Sequence, residues 1–262
     1  MIVAAATVPG APLLLPGVTG GPVREAEGAR EAMAAAVTAL LGQGAGEIVV
    51  VGGATATRPF PADAPGPESR IAPARPRGPG GRAVPGSRPA DEARAAAPGS
   101  RVAEEARVAP GSRRAGADDV LPVSLAVGRS LLAGRPVPWT LQGVGGDEPR
   151  DRCRALGREL GAGGRPVGLL VVADGSARRS EKAPGYVDPY AIDLDARIGA
   201  ALAAADPGAL LTLDPAGCAR AMVAGRAAWQ VMAAACEGGT WRSRVLYEED
   251  PFGVAYWVVT WT

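Results

Sequence analysis

Histidine is absent from all 262 residues. The chain therefore cannot hold a metal through imidazole or use an imidazole as a general base. Aromatic residues are scarce, with two Phe, four Tyr and five Trp. The core has to be built from Val, Leu, Ile and close-packed Ala helices, which is feasible at this length. Cysteine is limited to Cys153, Cys218 and Cys236, far apart and without a CxxC pair. That spacing excludes a disulfide framework and matches a reducing compartment. No sign of charge dominates: the formal net charge is +1, which gives no general reason to expect nucleic acid or an anionic membrane as a partner. No apolar run approaches the roughly 20 residues that span a bilayer. Residues 2–18 are apolar, but they lack a basic start and are broken by Pro9, Pro12 and Pro16, against a signal peptide. The expectation is a cytoplasmic, non-membrane protein, as a monomer or a homo-oligomer.

The remaining patterns alternate between strand and helix. Residues 2–8 are a short apolar run closed by Pro9-Gly10, and residues 47–51 are a β-branched run closed by Gly52-Gly53. Between them, residues 23–41 place Met33, Val37, Leu40 and Leu41 at helical spacing. Strand, helix and strand over about fifty residues make a βαβ unit, which favours a parallel sheet covered on both faces. After residue 120 the spacing predicts helices over 123–132, 148–160, 191–205, 215–224 and 227–235, with strands over 137–141 and 165–173. Residues 241–247 and 254–261 alternate in polarity around the turn-forming Asp250-Pro-Phe-Gly253, as a terminal antiparallel pair. The expected architecture is a single α/β domain over 1–262 with a mixed, largely parallel central sheet flanked by helices.

Residues 58–118 break that pattern. They hold 11 Pro, 11 Arg and 8 Gly, and Pro-Gly-Ser-Arg recurs at 85–88, 98–101 and 110–113. So little apolar surface cannot offset the entropy of ordering, so the segment is expected to be a disordered insertion. It carries 11 Arg against seven acids, while the rest of the chain has 17 bases against 20 acids. A basic arm of this kind could touch RNA or an acidic partner; a solvated loop is the simpler reading.

Ligands of open α/β sheets bind beyond the carboxyl ends of the strands. Three loops occupy such positions: Pro9-Gly10-Ala11-Pro12, Gly52-Gly53-Ala54-Thr55, and residues 174–186. The third offers Asp174, Ser176, Glu181 and Lys182 as catalytic candidates, and Arg178, Arg179 and Lys182 as a clamp for a carboxylate or phosphate. Ion pairing of those cations with Glu181 and Asp188 is the plainer alternative. Ser176 follows a buried strand as in a nucleophile elbow, but it has no Gly-x-Ser-x-Gly frame and no histidine. A Ser176–Lys182 dyad would be one way to activate it, and satisfying backbone groups of the loop is the other use of its hydroxyl. The Gly143-x-Gly145-Gly146 run misses the phosphate-binding spacing and reads as a strand–helix turn.

The apolar first strand with its Pro-x-x-Pro-Leu-Leu-Leu-Pro16 continuation resembles the start of the class III extradiol ring-cleavage dioxygenases. More narrowly, it is similar to the actinobacterial catalytic-subunit-B-like branch of that family. The stretch Ala173-Asp-Gly-Ser-Ala-Arg-Arg-Ser-Glu-Lys-Ala-Pro-Gly-Tyr-Val-Asp-Pro189 carries the resemblance furthest, joined by Ala224-Gly-Arg-Ala-Ala-Trp-Gln-Val-Met232 and the tail from Leu246-Tyr247 through Tyr256-Trp257. The resemblance covers about 1–58 and 119–262. It implies a non-haem Fe(II) held by two histidines and a carboxylate, plus an acid/base histidine. The positions it implies for those histidines carry Gly10, Gly52 or Gly53, and Ala177 instead. Glu237 and Glu248 are the candidates for the carboxylate. The implied outcome is a homologue without iron and without ring cleavage, binding a small anionic or aromatic ligand near Gly10, Gly52, Gly53, Ala177, Arg178 and Arg179, or acting as a scaffold. Asp174, Glu181 and Asp188 could alternatively hold Mg²⁺, Ca²⁺ or Mn²⁺ through oxygen, which would make the chain an enzyme of another chemistry. A third reading is a partner-binding protein acting through the basic insertion.

Overall fold

A computed structural model describes residues 1–19, 21, 23–67 and 120–262. Most of the segment expected as an insertion, with all three Pro-Gly-Ser-Arg repeats, lies outside the described residues.

The apolar runs become the inner strands of one seven-stranded sheet. β1 (Ile2–Val8), β2 (Glu47–Ala54), β4 (Trp139–Gly145) and β5 (Val167–Val172) are mutually parallel, in the spatial order β4-β2-β5-β1. β3 (Arg58–Phe60) pairs antiparallel with β4 at one edge. At the other edge β7 (Tyr256–Trp261) runs antiparallel to β1, and β6 (Ser243–Glu249) antiparallel to β7. The fold is therefore α/β with a mixed, largely parallel sheet and a terminal antiparallel pair.

Alternation along the strands gives each face its own core. Val49, Val51, Leu169, Val171, Trp257 and Trp261 face one side, whereas Ile48, Val50, Leu170, Val172 and Val258 face the other. The first side is covered by α3 (Arg150–Gly161), α4 (Pro189–Ala203), α5 (Pro207–Leu211), α6 (Pro215–Arg220) and α7 (Arg226–Ala235). The second is covered by α1 (Glu27–Leu41) and α2 (Val123–Leu132). Alanine-rich helix faces allow backbones to come close. A Cβ on Gly157 of α3 would lie 2.3 Å from the Val231 carbonyl oxygen of α7.

Three features depart from the expected boundaries. Arg58–Phe60, expected to open the insertion, form strand β3 and bury Phe60 against the sheet. Gly52 and Gly53, expected in a loop, are the end of strand β2, paired with Gly143 and Val144. Helix α5 had not been anticipated. It begins like α4 and α6 with an Asp-Pro pair, in which Asp188, Asp206 and Asp214 each accept a first-turn N–H. Among the described residues, no helix is long and apolar enough to cross a membrane. All three cysteines are free and buried.

Candidate functional site

The four parallel strands end on one side of the sheet, and their ends enclose a cavity of about 480 Å³. Gly10 follows β1, Gly53 and Ala54 close β2, Gly146 follows β4, and Ala173 and Asp174 follow β5; all six line it. The three loops singled out by position thus meet at a single cavity. Its remaining wall comes from Phe60 of β3, Pro122, Val123 and Ser124 at the start of α2, and Ala224 before α7.

Asp174 is the carboxylate of this cavity. Its backbone is fixed on several sides: the Ala173 N–H donates to Val8 O, the Gly175 N–H to Ala255 O, and the Gly225 N–H to the Asp174 carbonyl, at 2.8–2.9 Å. Its Oδ1 accepts from the Gly10 N–H at 2.8 Å. Burial pushes the carboxyl up to about 6, against the opposing pull of that single N–H. Oδ2 receives no hydrogen bond among the described residues, yet it is not sealed in, unlike the orphaned Arg178 Nε and Trp257 Nε1.

The two glycines of β2 differ in what they face. A Cβ on Gly52 would meet Ser124 Oγ at 2.7 Å, so α2 can approach only because that side chain is missing. A Cβ on Gly53 would meet nothing nearer than the Ala224 carbonyl oxygen at 3.9 Å. Gly53 therefore contributes open space to the cavity, and Gly52 contributes packing. Ser124 donates to the Gly53 carbonyl at 2.7 Å. Arg58 places its guanidinium 4.0 Å from the centre of the Phe60 ring at the cavity mouth.

The rest of the third loop turns away. Ser176 is completely buried; its hydroxyl donates to Ala221 O at 2.5 Å and accepts from the Arg178 N–H at 3.0 Å. Among the described residues its hydroxyl donates to no side chain, and the dyad with Lys182 does not form. Ala177 is tied by its backbone to Met222 O and the Gly185 N–H. Arg178 pairs with Asp188 at 3.9 Å and donates to Arg220 O. Arg179 donates to Asp250 at 2.6 Å and to Asp195 at 3.4 Å. Glu181 and Lys182 are exposed, with no ion pair between them or with other described residues. The expected cationic clamp is thus dispersed: the two arginines hold carboxylates of the protein itself, because Asp188, Asp195 and Asp250 converge on their stretch from other elements.

Iron does not fit this cavity. Among the described residues no three His, Cys, Asp or Glu side chains converge on a common point. Gly10 and Gly53 bring no side chain, and Asp174 is the lone carboxylate among the described residues that line the cavity. Fe(II) needs nitrogen ligands that this wall lacks. Neither proposed carboxylate ligand reaches it: Glu237 pairs with Arg154 and Arg158 on the outer surface, and Glu248 lies in β6 beside a separate hollow near Asp195 and Trp257. The oxygen-only alternative fails on the same ground. Glu181 is exposed, and Asp188 caps α4 and pairs with arginines, so neither joins Asp174.

Asp195 is the second strongly shifted carboxylate. It is fully buried, accepts from the Ser176 N–H at 3.0 Å, and is also raised to about 6 by burial despite Arg179 nearby. Behind the cavity, buried Arg226 donates to Gly146 O and Glu148 O at 2.8 Å each, and to Gln230 Oε1. These ties join the wall after β4 to the start of α7. Sequence reasoning missed Phe60, Ser124 and Arg226. Only Phe60 carried a signal, as one of two Phe in a chain poor in aromatics.

No family model matches the chain, and no curated protein matches it. Among solved structures, that of an uncharacterized protein from Escherichia coli K12 is similar over 98% of this chain and 99% of its own. The two are 12% identical, with a TM-score of 0.48.

Proposed function

We propose that this protein is a relative of the class III extradiol dioxygenase subunit-B-like proteins that binds a small organic molecule at its strand ends and does not perform iron-dependent ring cleavage. The observation that carries the reading is the cavity itself. Loops that the resemblance marks as ligand-bearing open onto one space of about 480 Å³, with a single half-buried carboxylate among its described lining residues and no imidazole anywhere in the chain. That volume lies within the range of small-molecule pockets, and a mostly apolar wall with few placed polar groups is their usual build. Free, buried cysteines support a cytoplasmic setting.

Purified protein loaded with Fe(II) and offered catechols should show no O₂ uptake and no stoichiometric iron. A fragment screen by ligand-observed NMR should find binders that Gly53→Leu displaces, because that substitution projects a side chain into open space. Catechol-dependent turnover would overturn the reading, as would a fragment profile unchanged by Gly53→Leu.

A further inference from the structure

We infer that the strand-end cavity selects nitrogen heterocycles presenting an amidine-like N–H edge, with Asp174 as their anchor. The inference rests on the reading of this cavity as a binding site and adds the chemical class of its occupant. Asp174 Oδ1 is held by the Gly10 N–H, whereas Oδ2 faces the cavity without a partner among the described residues. A carboxylate taken out of bulk water with one hydrogen bond is under-compensated, and a ligand donor restores what desolvation removed. The group is ionised at pH 7.5, so it favours donors and cations over acceptors and anions.

The rest of the wall decides the body of the ligand. Phe60, Pro122, Val123, Val172 and Ala224 present apolar surface on several sides, which suits a flat ring system with its polar edge turned to Asp174. An anionic ligand would bring like charge against Asp174 in a poorly hydrated space. Arg58 and Tyr256 are the other titratable groups near Asp174. Arg58 lies at the exposed mouth, where solvent screens it. Tyr256 stays a neutral phenol, its ionisation pushed further up by burial and by Asp174. A ligand N–H donated to Oδ2 is charge-assisted because its acceptor is ionised, and a second N–H on the same edge can share Oδ1 beside the Gly10 N–H.

Four probes of similar shape separate the possibilities: 2-aminobenzimidazole, indole, benzofuran and indole-2-carboxylate. Their affinities are measured at pH 7.5 by calorimetry or ligand-observed NMR on the full chain, its Asp174→Asn variant and its Gly53→Leu variant. The expected order is the order given, with 2-aminobenzimidazole about ten- to a hundredfold tighter than benzofuran, as charge-assisted hydrogen bonds imply. Asp174→Asn should erase that advantage and leave benzofuran binding intact, which also reports that the variant is folded. Tightest binding by the carboxylate, or an advantage that survives Asp174→Asn, would overturn the inference and leave the cavity reading standing. Failure of all four probes to bind, or binding indifferent to Gly53→Leu, would overturn both.

Discussion

Asp174 and Asp195 lie at the two ends of one short path through the molecule, joined by Gly175 and Ser176. Burial raises both carboxyls to about 6, yet their surroundings differ. Asp195 has both oxygens engaged, by the Ser176 N–H and by Arg179, and its side chain is fully buried. Asp174 has one oxygen engaged and the other open to a cavity. Equal perturbation therefore does not mean equal role: the shift reports lost water, and the count of satisfied lone pairs tells which group is still available to a ligand.

That contrast can be broken by substitution. Asp195→Ala should be the most damaging change, costing about 3 kcal/mol, because it strands a buried N–H and half of the Arg179 pairing; urea denaturation measures it. A loss below about 1 kcal/mol would place Asp195 in the same class as Asp174. Arg179→Ala should cost less, about 1–2 kcal/mol, since its side chain is partly solvated and solvent replaces part of what is lost.

Acidity sharpens the comparison. A carboxyl with a native value near 6 and an ordinary value of 3.8 takes up its proton first in the folded state. Its contribution to stability therefore grows as pH falls from about 6 towards 4, and sits at its lower plateau above 6. Asp174→Asn removes that titration. The stability gap between variant and parent should favour the variant at pH 7.5 by about 1 kcal/mol and shrink as pH approaches 4. A gap that stays constant across that window would show that Asp174 does not titrate there. Smallest of all, Lys182→Ala should change stability by less than about 0.5 kcal/mol, as expected for an exposed side chain without a partner. It should leave probe binding untouched.

The inner strands and main helices were legible because their signals are local: β-branched runs closed by glycine, and apolar residues at helical spacing. β3 was not legible, since Arg58-Pro59-Phe60 has no period of its own and exists through pairing with β4. For the site, position beyond the strand ends was enough to choose Gly10, Gly53 and Asp174. It was not enough to separate Gly53 from Gly52, which depends on the side of the sheet from which α2 approaches. Pairing of the loop's cations with Asp188 is the plainer reading of that stretch and holds for Arg178, but the sequence could not foresee that Arg179 would be taken up by Asp195 and Asp250. Those acids stand up to 71 residues away in the chain, and such pairing has no local pattern.

The buried guanidinium of Arg226 has a mechanical consequence. Its hydrogen-bond partners are two backbone carbonyls and one amide oxygen, and a buried guanidinium left without them is costly. The turn beginning at Gly146 and the first residues of α7 must therefore open together or stay closed together. An occupant pressing on Gly146 would stiffen a helix it never touches, and slower amide exchange along α7 would signal a filled cavity from the far side of the wall.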